Sequence, residues 1–204
     1  MRASGLLGMM WNNLSCGVVS TAQALLFPKI TNVMVNTGGN KMSAWKTHNQ
    51  LQHKRIRIIV LSSAVAGYPS YYHYIKGEGL MPFYVSCCYK AKEMHLDRFY
   101  RAVAPAVVNI GFCKGEERRA ERLARKDRPW RKFNFPMLNY TREECEKILR
   151  ANDVMASSTY CWFCPKGPNP PEWAVKSLRE RAHVAASARP TAALTPPLRG
   201  THKR

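Results

Sequence analysis

The sequence predicts a mainly α chain with little or no sheet: one transmembrane helix over about residues 56–76, amphipathic and charged helices after it, and extended basic tails. Three observations predict this. An uncharged, Tyr-rich run at 58–75 is flanked by Lys54, Arg55, Arg57 and Lys76. Apolar residues recur at helical spacing over 82–103. A basic, Pro-rich stretch closes the chain.

Four segments follow: a basic, acid-free arm or targeting segment at 1–55, the membrane helix at 56–76, a helical region at 77–164, and a Pro-rich basic extension at 165–204. Residues 3–28 carry no charged side chain. A bilayer span takes about 20 residues, so the stretch is long enough, but Asn12, Asn13 and Gln23 weaken it. It fits an uncleaved targeting segment, a membrane helix or an arm buried in a partner. Residues 29–55 are polar, with a turn signal in NTGGNK at 36–41.

In the run 58–75, Ile58, Ile59, Val60, Leu61 and Val65 form the apolar half of the anchor. Tyr68, Tyr71, Tyr72 and Tyr74 form its aromatic rim, where amphipathic rings meet headgroups. The competing assignment is a buried strand at Ile58–Leu61 followed by a Tyr-rich turn. Beyond it, Val85, Cys88, Tyr89, Leu96, Phe99, Tyr100 and Val103 outline an amphipathic helix, ended or kinked by Pro105. Residues 114–133 read as a charged helix stopped by Pro129. Its cations Arg118, Arg119, Arg122, Arg125, Lys126, Arg128, Arg131 and Lys132, with Trp130, suit a polyanion or a lipid headgroup layer. At 140–152, Thr141 and Glu144 have the spacing of a capping box. A short helix is expected at 172–186, then an extended tail.

Charge and cysteines bound the function. The 204 residues carry a net charge of +19, and no Asp or Glu precedes Glu78. Such an excess points to a negative partner. Seven scattered cysteines are not a secreted disulfide framework. Cys161 and Cys164 form a C-x-x-C pair, the one metal-type spacing; Cys113, Cys145 and His183 are its candidate co-ligands. Cys87 and Cys88, adjacent on a helix, point apart and read as packing residues. The phosphate-loop, dinucleotide, nucleophile-elbow and zinc-protease motifs are missing, and no His pairs with an acid at catalytic spacing.

In composition, though not in any motif, the chain resembles accessory subunits of mitochondrial inner-membrane complexes and lineage-specific mitochondrial ribosomal proteins. The first resemblance implies a non-catalytic subunit of a respiratory complex or the ATP synthase, in the mitochondrial inner membrane. Its partners would be neighbouring subunits and phospholipid, cardiolipin included, with no cofactor and no small-molecule substrate. The second implies a matrix ribosomal protein bound to rRNA. A third possibility is an independent RNA-binding or redox module built on Cys161 and Cys164.

Overall fold

The computed structural model describes residues 9–78 and 87–156, with Cys161 and Cys164. Five parallel strands form one sheet: β1 (Met9–Asn13), β2 (Thr31–Asn36), β3 (Ile58–Ser62), β4 (Ala106–Ile110) and β5 (Arg131–Asn134), in the order β3-β2-β1-β4-β5. Parallel neighbours need crossover connections, usually helical. The crossovers carry α1 (Val18–Leu26), α2 (Met42–His53), α3 (Tyr71–Gly77), a π-helical turn (Tyr89–Glu93) running into α4 (Met94–Ala102), and α5 (Glu117–Ala124). The helix α6 (Arg142–Ala151) follows β5 and packs on α1.

The strand residues divide between two cores. Trp11, Val33, Val35, Ala106 and Val108 meet Leu96 and Tyr100 of α4 on one face. On the other, Leu14 and Met34 meet Ala24 of α1 with Ala44 and Leu51 of α2, and α1 and α6 close over Met137, Cys113 and Cys145. The α1 face of the sheet also carries a row of amides. Asn32, Asn12, Asn109 and Asn134 stand in register across β2, β1, β4 and β5. Asn109 donates to Asn12 Oδ1 (3.0 Å) and accepts from Asn134 (2.8 Å).

This architecture corrects the mainly α expectation. Among the described residues no helix is long and apolar enough to cross a membrane. The run 58–75 is β3, a turn and α3, so the strand-and-turn alternative is the correct one for Ile58–Leu61. Ile58, Ile59, Val60 and Leu61 lie in β3, and all but Val60 pack against the two cores. Val65 bridges back to Tyr68. Tyr71, Tyr72 and Tyr74 belong to α3, and Tyr71 is buried. The apolar residues of the run pack inward from an edge strand and a short helix, and Lys54, Arg55 and Arg57 are exposed at the turn before it. Residues 9–26 are uncharged as well: β1 is a central strand, and α1 lies between the sheet and α6.

Local signals fared unevenly. Asn36–Lys41 does hold a turn, and α6 begins at a capping box in which Thr141 accepts from Glu144 N–H. The amphipathic helix ends at Ala102, within its expected span, and is helical from Cys87 among the described residues. The charged helix is only Glu117–Ala124. After Pro129, Arg131–Asn134 leave it to pair with β4, a cross-chain gain that helical spacing cannot reveal. The Pro-rich connector, the helix expected at 172–186, the C-terminal tail, and His183 lie outside the described residues.

Candidate functional site

In open α/β sheets, ligands sit beyond the carboxyl ends of the strands, where the strand order reverses direction. Here that point lies between β1 and β4. A cavity of about 370 Å³ occupies it, lined by Asn13, Ser15, Val18–Ser20, Gly111, Phe112, Arg119 and Arg142. A second, of about 170 Å³, opens on the β2 side over Leu14, Met34 and Val35, with Lys41, Lys92 and Cys161 at its edge. Asn13 and Ser15 line both, so the two form one crevice across the end of β1.

The turn from β1 into α1 builds the centre of the crevice. Leu14 N–H bonds Val33 O (2.9 Å), holding the strand end to β2. Cys16 then takes a left-handed conformation (φ 61°), and its buried thiol is pushed up to about 12, chiefly by burial. Ser15 and Ser20 bridge through their hydroxyls at 2.9 Å. The first intrahelical bond is Thr21 N–H to Gly17 O (2.9 Å), so the amides of Val18, Val19 and Ser20 have no intrahelical acceptor. Together with the helix dipole they form an anion-binding end.

Gly111 fits this end closely. A Cβ there would stand 2.9 Å from the backbone N and Cα of Ser20, so only glycine lets the β4 loop approach α1 this far. Arg119 and Arg142 bring positive charge to the same cavity. Arg119 pairs with Glu116 and lies over the Phe112 ring at 4.6 Å. Arg142 pairs with Glu146 through Nε at 3.2 Å.

Beside the β2 half of the crevice, Cys87 and Cys161 pack against one cluster of Tyr71, Ile75 and Ala91, with Cys88 and Cys164 close to them in sequence. The Cys87 thiol is pushed up to about 12 by burial and then by Cys88, Cys161 and Cys164. Cys88 is raised by burial and by Cys164 and Cys161, against the pull of Lys92. Cys161 lines the crevice, meets Thr37 Oγ1 at 3.3 Å and accepts the Cys164 N–H at 3.0 Å. Among the described residues no three His, Cys, Asp or Glu side chains are grouped to chelate one ion.

The expected partners for Cys161 are corrected. Cys113 and Cys145 pack in the core under α1, while the thiols near Cys161 are Cys87 and Cys88. Cys87 and Cys88, adjacent on the helix, point apart and are a poor chelate for one ion. Of the polyanion residues, Arg118, Arg119 and Arg122 lie on α5, Arg125 caps it, Lys126, Arg128 and Trp130 occupy the next turn, and Arg131 and Lys132 lie in β5. Only Arg119 joins the crevice; Arg131 is 8% exposed, ion-paired to Asp97 and covered by Trp130 and Phe133. Sequence reasoning missed the turn at Ser15–Ser20. Its signal is a Ser/Gly turn between an apolar strand and an uncharged helix.

Strand order and crevice define a doubly wound α/β chain with a ligand crevice at its switch point. No protein-family model and no curated protein matches it. Among solved structures, it is similar to the phosphoadenylyl-sulfate (PAPS) reductase of Candida auris, determined as a phosphate complex, with TM-score 0.61, 12% identity and coverage of 78% of this chain and 84% of that one. It is also similar to the U34-tRNA thiolase NcsA of Methanococcus maripaludis, described with its [4Fe-4S] cluster, with TM-score 0.54, 12% identity and coverage of 99% and 81%.

This likeness, with the absence of a membrane-spanning helix among the described residues, overturns several expectations. The non-catalytic accessory subunit, its mitochondrial inner-membrane location and its ribosomal alternative rested on a membrane helix and on composition. The partners inferred from them, phospholipid, neighbouring subunits or rRNA with no small-molecule substrate, fall with them. The fold is instead one that two enzymes share.

Proposed function

We propose that the chain is an enzyme of sulfur chemistry that binds an adenylyl nucleotide in the crevice across β1. One observation carries this: unpaired first-turn amides of α1, Arg119 and Arg142 converge on the β1–β4 switch point. The phosphates lie at the start of α1, where amides and guanidiniums neutralise them. The base fits the narrower side, against Leu14, Met34 and Val35. Ser15 and Ser20 hold the turn and offer hydroxyl donors to phosphoryl oxygens. The phosphate and the adenylyl sulfate named for the Candida auris enzyme support this choice of ligand.

Cys87, Cys88, Cys161 and Cys164 match in kind and number the donor set of a [4Fe–4S] centre, which takes four thiolates. Cys87 and Cys161 pack against one cluster, Tyr71, Ile75 and Ala91, which brings the two cysteine pairs to one side of the crevice. The cluster named for the Methanococcus maripaludis protein supports the same assignment. When bound, such a centre supplies redox or Lewis-acid iron beside the crevice. The protein orients it: Thr37 meets Cys161, and Tyr71, Ile75 and Ala91 wall off the Cys87 side.

Titration calorimetry with phosphoadenylyl sulfate, ATP and inorganic phosphate tests the crevice. Arg119→Ala is expected to weaken nucleotide binding roughly 10- to 100-fold, as loss of a charged hydrogen bond of about 1.5–3 kcal/mol requires. The crevice assignment fails if none of the three binds, or if the variant binds as tightly. For the cysteines, anaerobic reconstitution is expected to load iron and sulfide in equal amounts, with Cys87→Ser and Cys161→Ser both losing them. Full loading of either variant removes that residue from the donor set.

A further inference from the structure

The crevice continues past the space a mononucleotide needs. From Phe112 and Arg119 it runs into a cavity of about 210 Å³ along α5, lined by Arg122, Leu123 and Lys126. That cavity shares Phe112, Leu123, Lys126 and Glu93 with a larger one of about 540 Å³, which Arg101, Arg128 and Arg131 border. Arg119 and Arg122 stand at i and i+3 on α5, and Lys126 follows in the turn after it, all three on the wall of this cavity. Their like charges repel one another across it, a cost that an anionic ligand removes. Among the described residues the ion pairs are Arg119–Glu116, Arg131–Asp97 and Arg142–Glu146, leaving Arg122, Lys126 and Arg128 out. Glu93, Glu116 and Asp97 are the acids that face the groove, and two of those three are already paired. One mononucleotide at α1 does not reach this stripe, but a chain of phosphates does.

We propose that the second half of the groove holds a single-stranded nucleic acid, laid along α5 with its terminal nucleotide in the crevice. The inference rests on the crevice's being a nucleotide site, and it makes the substrate a nucleic-acid end. Phosphates neutralise Arg122, Lys126 and Arg128 in turn. The net charge of +19 supplies the long-range attraction.

The test uses the full chain, a fluorescent N-methylanthraniloyl ATP as crevice probe and a short single-stranded RNA. The RNA is expected to displace the probe. The triple variant Arg122→Ala/Lys126→Ala/Arg128→Ala is expected to bind RNA tenfold or more weakly at about 0.15 M salt. Its slope of log affinity on log salt becomes shallower by about 2, while probe affinity stays unchanged, which also shows that the variant is folded. RNA that fails to displace the probe, a triple variant that binds RNA normally, or poly-glutamate that displaces the probe as well as RNA each overturns the proposal. A native chain that does not bind the probe overturns the crevice assignment, a separate failure. RNA binding lost in the triple variant would then support the α5 path alone.

Discussion

Gly111 and Ser20 show how little freedom the centre of the site has. The β4 loop and the start of α1 touch backbone to backbone, so a methyl group at position 111 must move one of them. Gly111→Ala is expected to lower stability by about 1–3 kcal/mol through overpacking. It also withdraws α1's first turn from the ligand. Thermal unfolding and nucleotide titration read the two effects separately; unchanged values for both would mean that the contact is slack. Gly38 has the same role under α3. It sits at φ 73°, and a Cβ there would strike the Ser70 hydroxyl, the N-cap of that helix. Both glycines lie in loops after strands, so glycine constrains the carboxyl side of the sheet where ligands bind.

At the level of elements, the helix ends carry the argument. Thr141 caps α6 on both sides of a reciprocal pair, with Thr141 N–H donating to Glu144 at 2.7 Å. Thr141→Ala removes one half and is expected to cost about 1 kcal/mol, lowering the unfolding midpoint by about 2–4 °C for a chain of this size. A midpoint within 1 °C of the native value would show that packing on α1 alone sets the helix. The capping box was legible because its chemistry lies within four residues. β1 and α1 were not, and β3 was legible only as the second choice to a membrane helix. Residues 3–28 and 58–75 lack charge, and burial in a sheet removes charge from a sequence just as a bilayer does. Among local signals, only the Asn12, Asn13 and Gln23 amides argued against lipid; Asn12 and Gln23 prove to be part of the buried polar layer under α1, and Asn13 lines the crevice. The crevice was illegible for a related reason. Its parts come from β1, β4, α5 and α6, more than a hundred residues apart, and only the sheet order brings them together. The Cys161–Cys164 pair was visible; that Cys87 packs on the same Tyr71, Ile75 and Ala91 cluster as Cys161 was not, because residues more than seventy positions apart share no local spacing.

Across the whole molecule, the amide row stands in register on four of five strands, and its side-chain hydrogen bonds join three of them, β1, β4 and β5. Asn109 joins Asn12 to Asn134, so Asn109→Ala leaves Asn12 Oδ1 buried without a donor. An unsatisfied buried polar atom costs about 1–3 kcal/mol. Denaturant unfolding is expected to show that loss with an unchanged slope; a variant as stable as the native chain would mean that the amides find other partners. A further property follows from the row. Each of β1, β2, β4 and β5 presents one amide to that layer at its α1 face, so a strand displaced by one residue turns its amide to the opposite face. Displaced by two, it sets a valine or a glycine against a buried amide, since Val107 and Gly111 flank Asn109 on its side of β4. The row therefore acts as a lock with a single key position. It pins the carboxyl ends of β1 and β4 to one level, and on that level the loops that line the crevice pack against each other at Gly111 and Ser20.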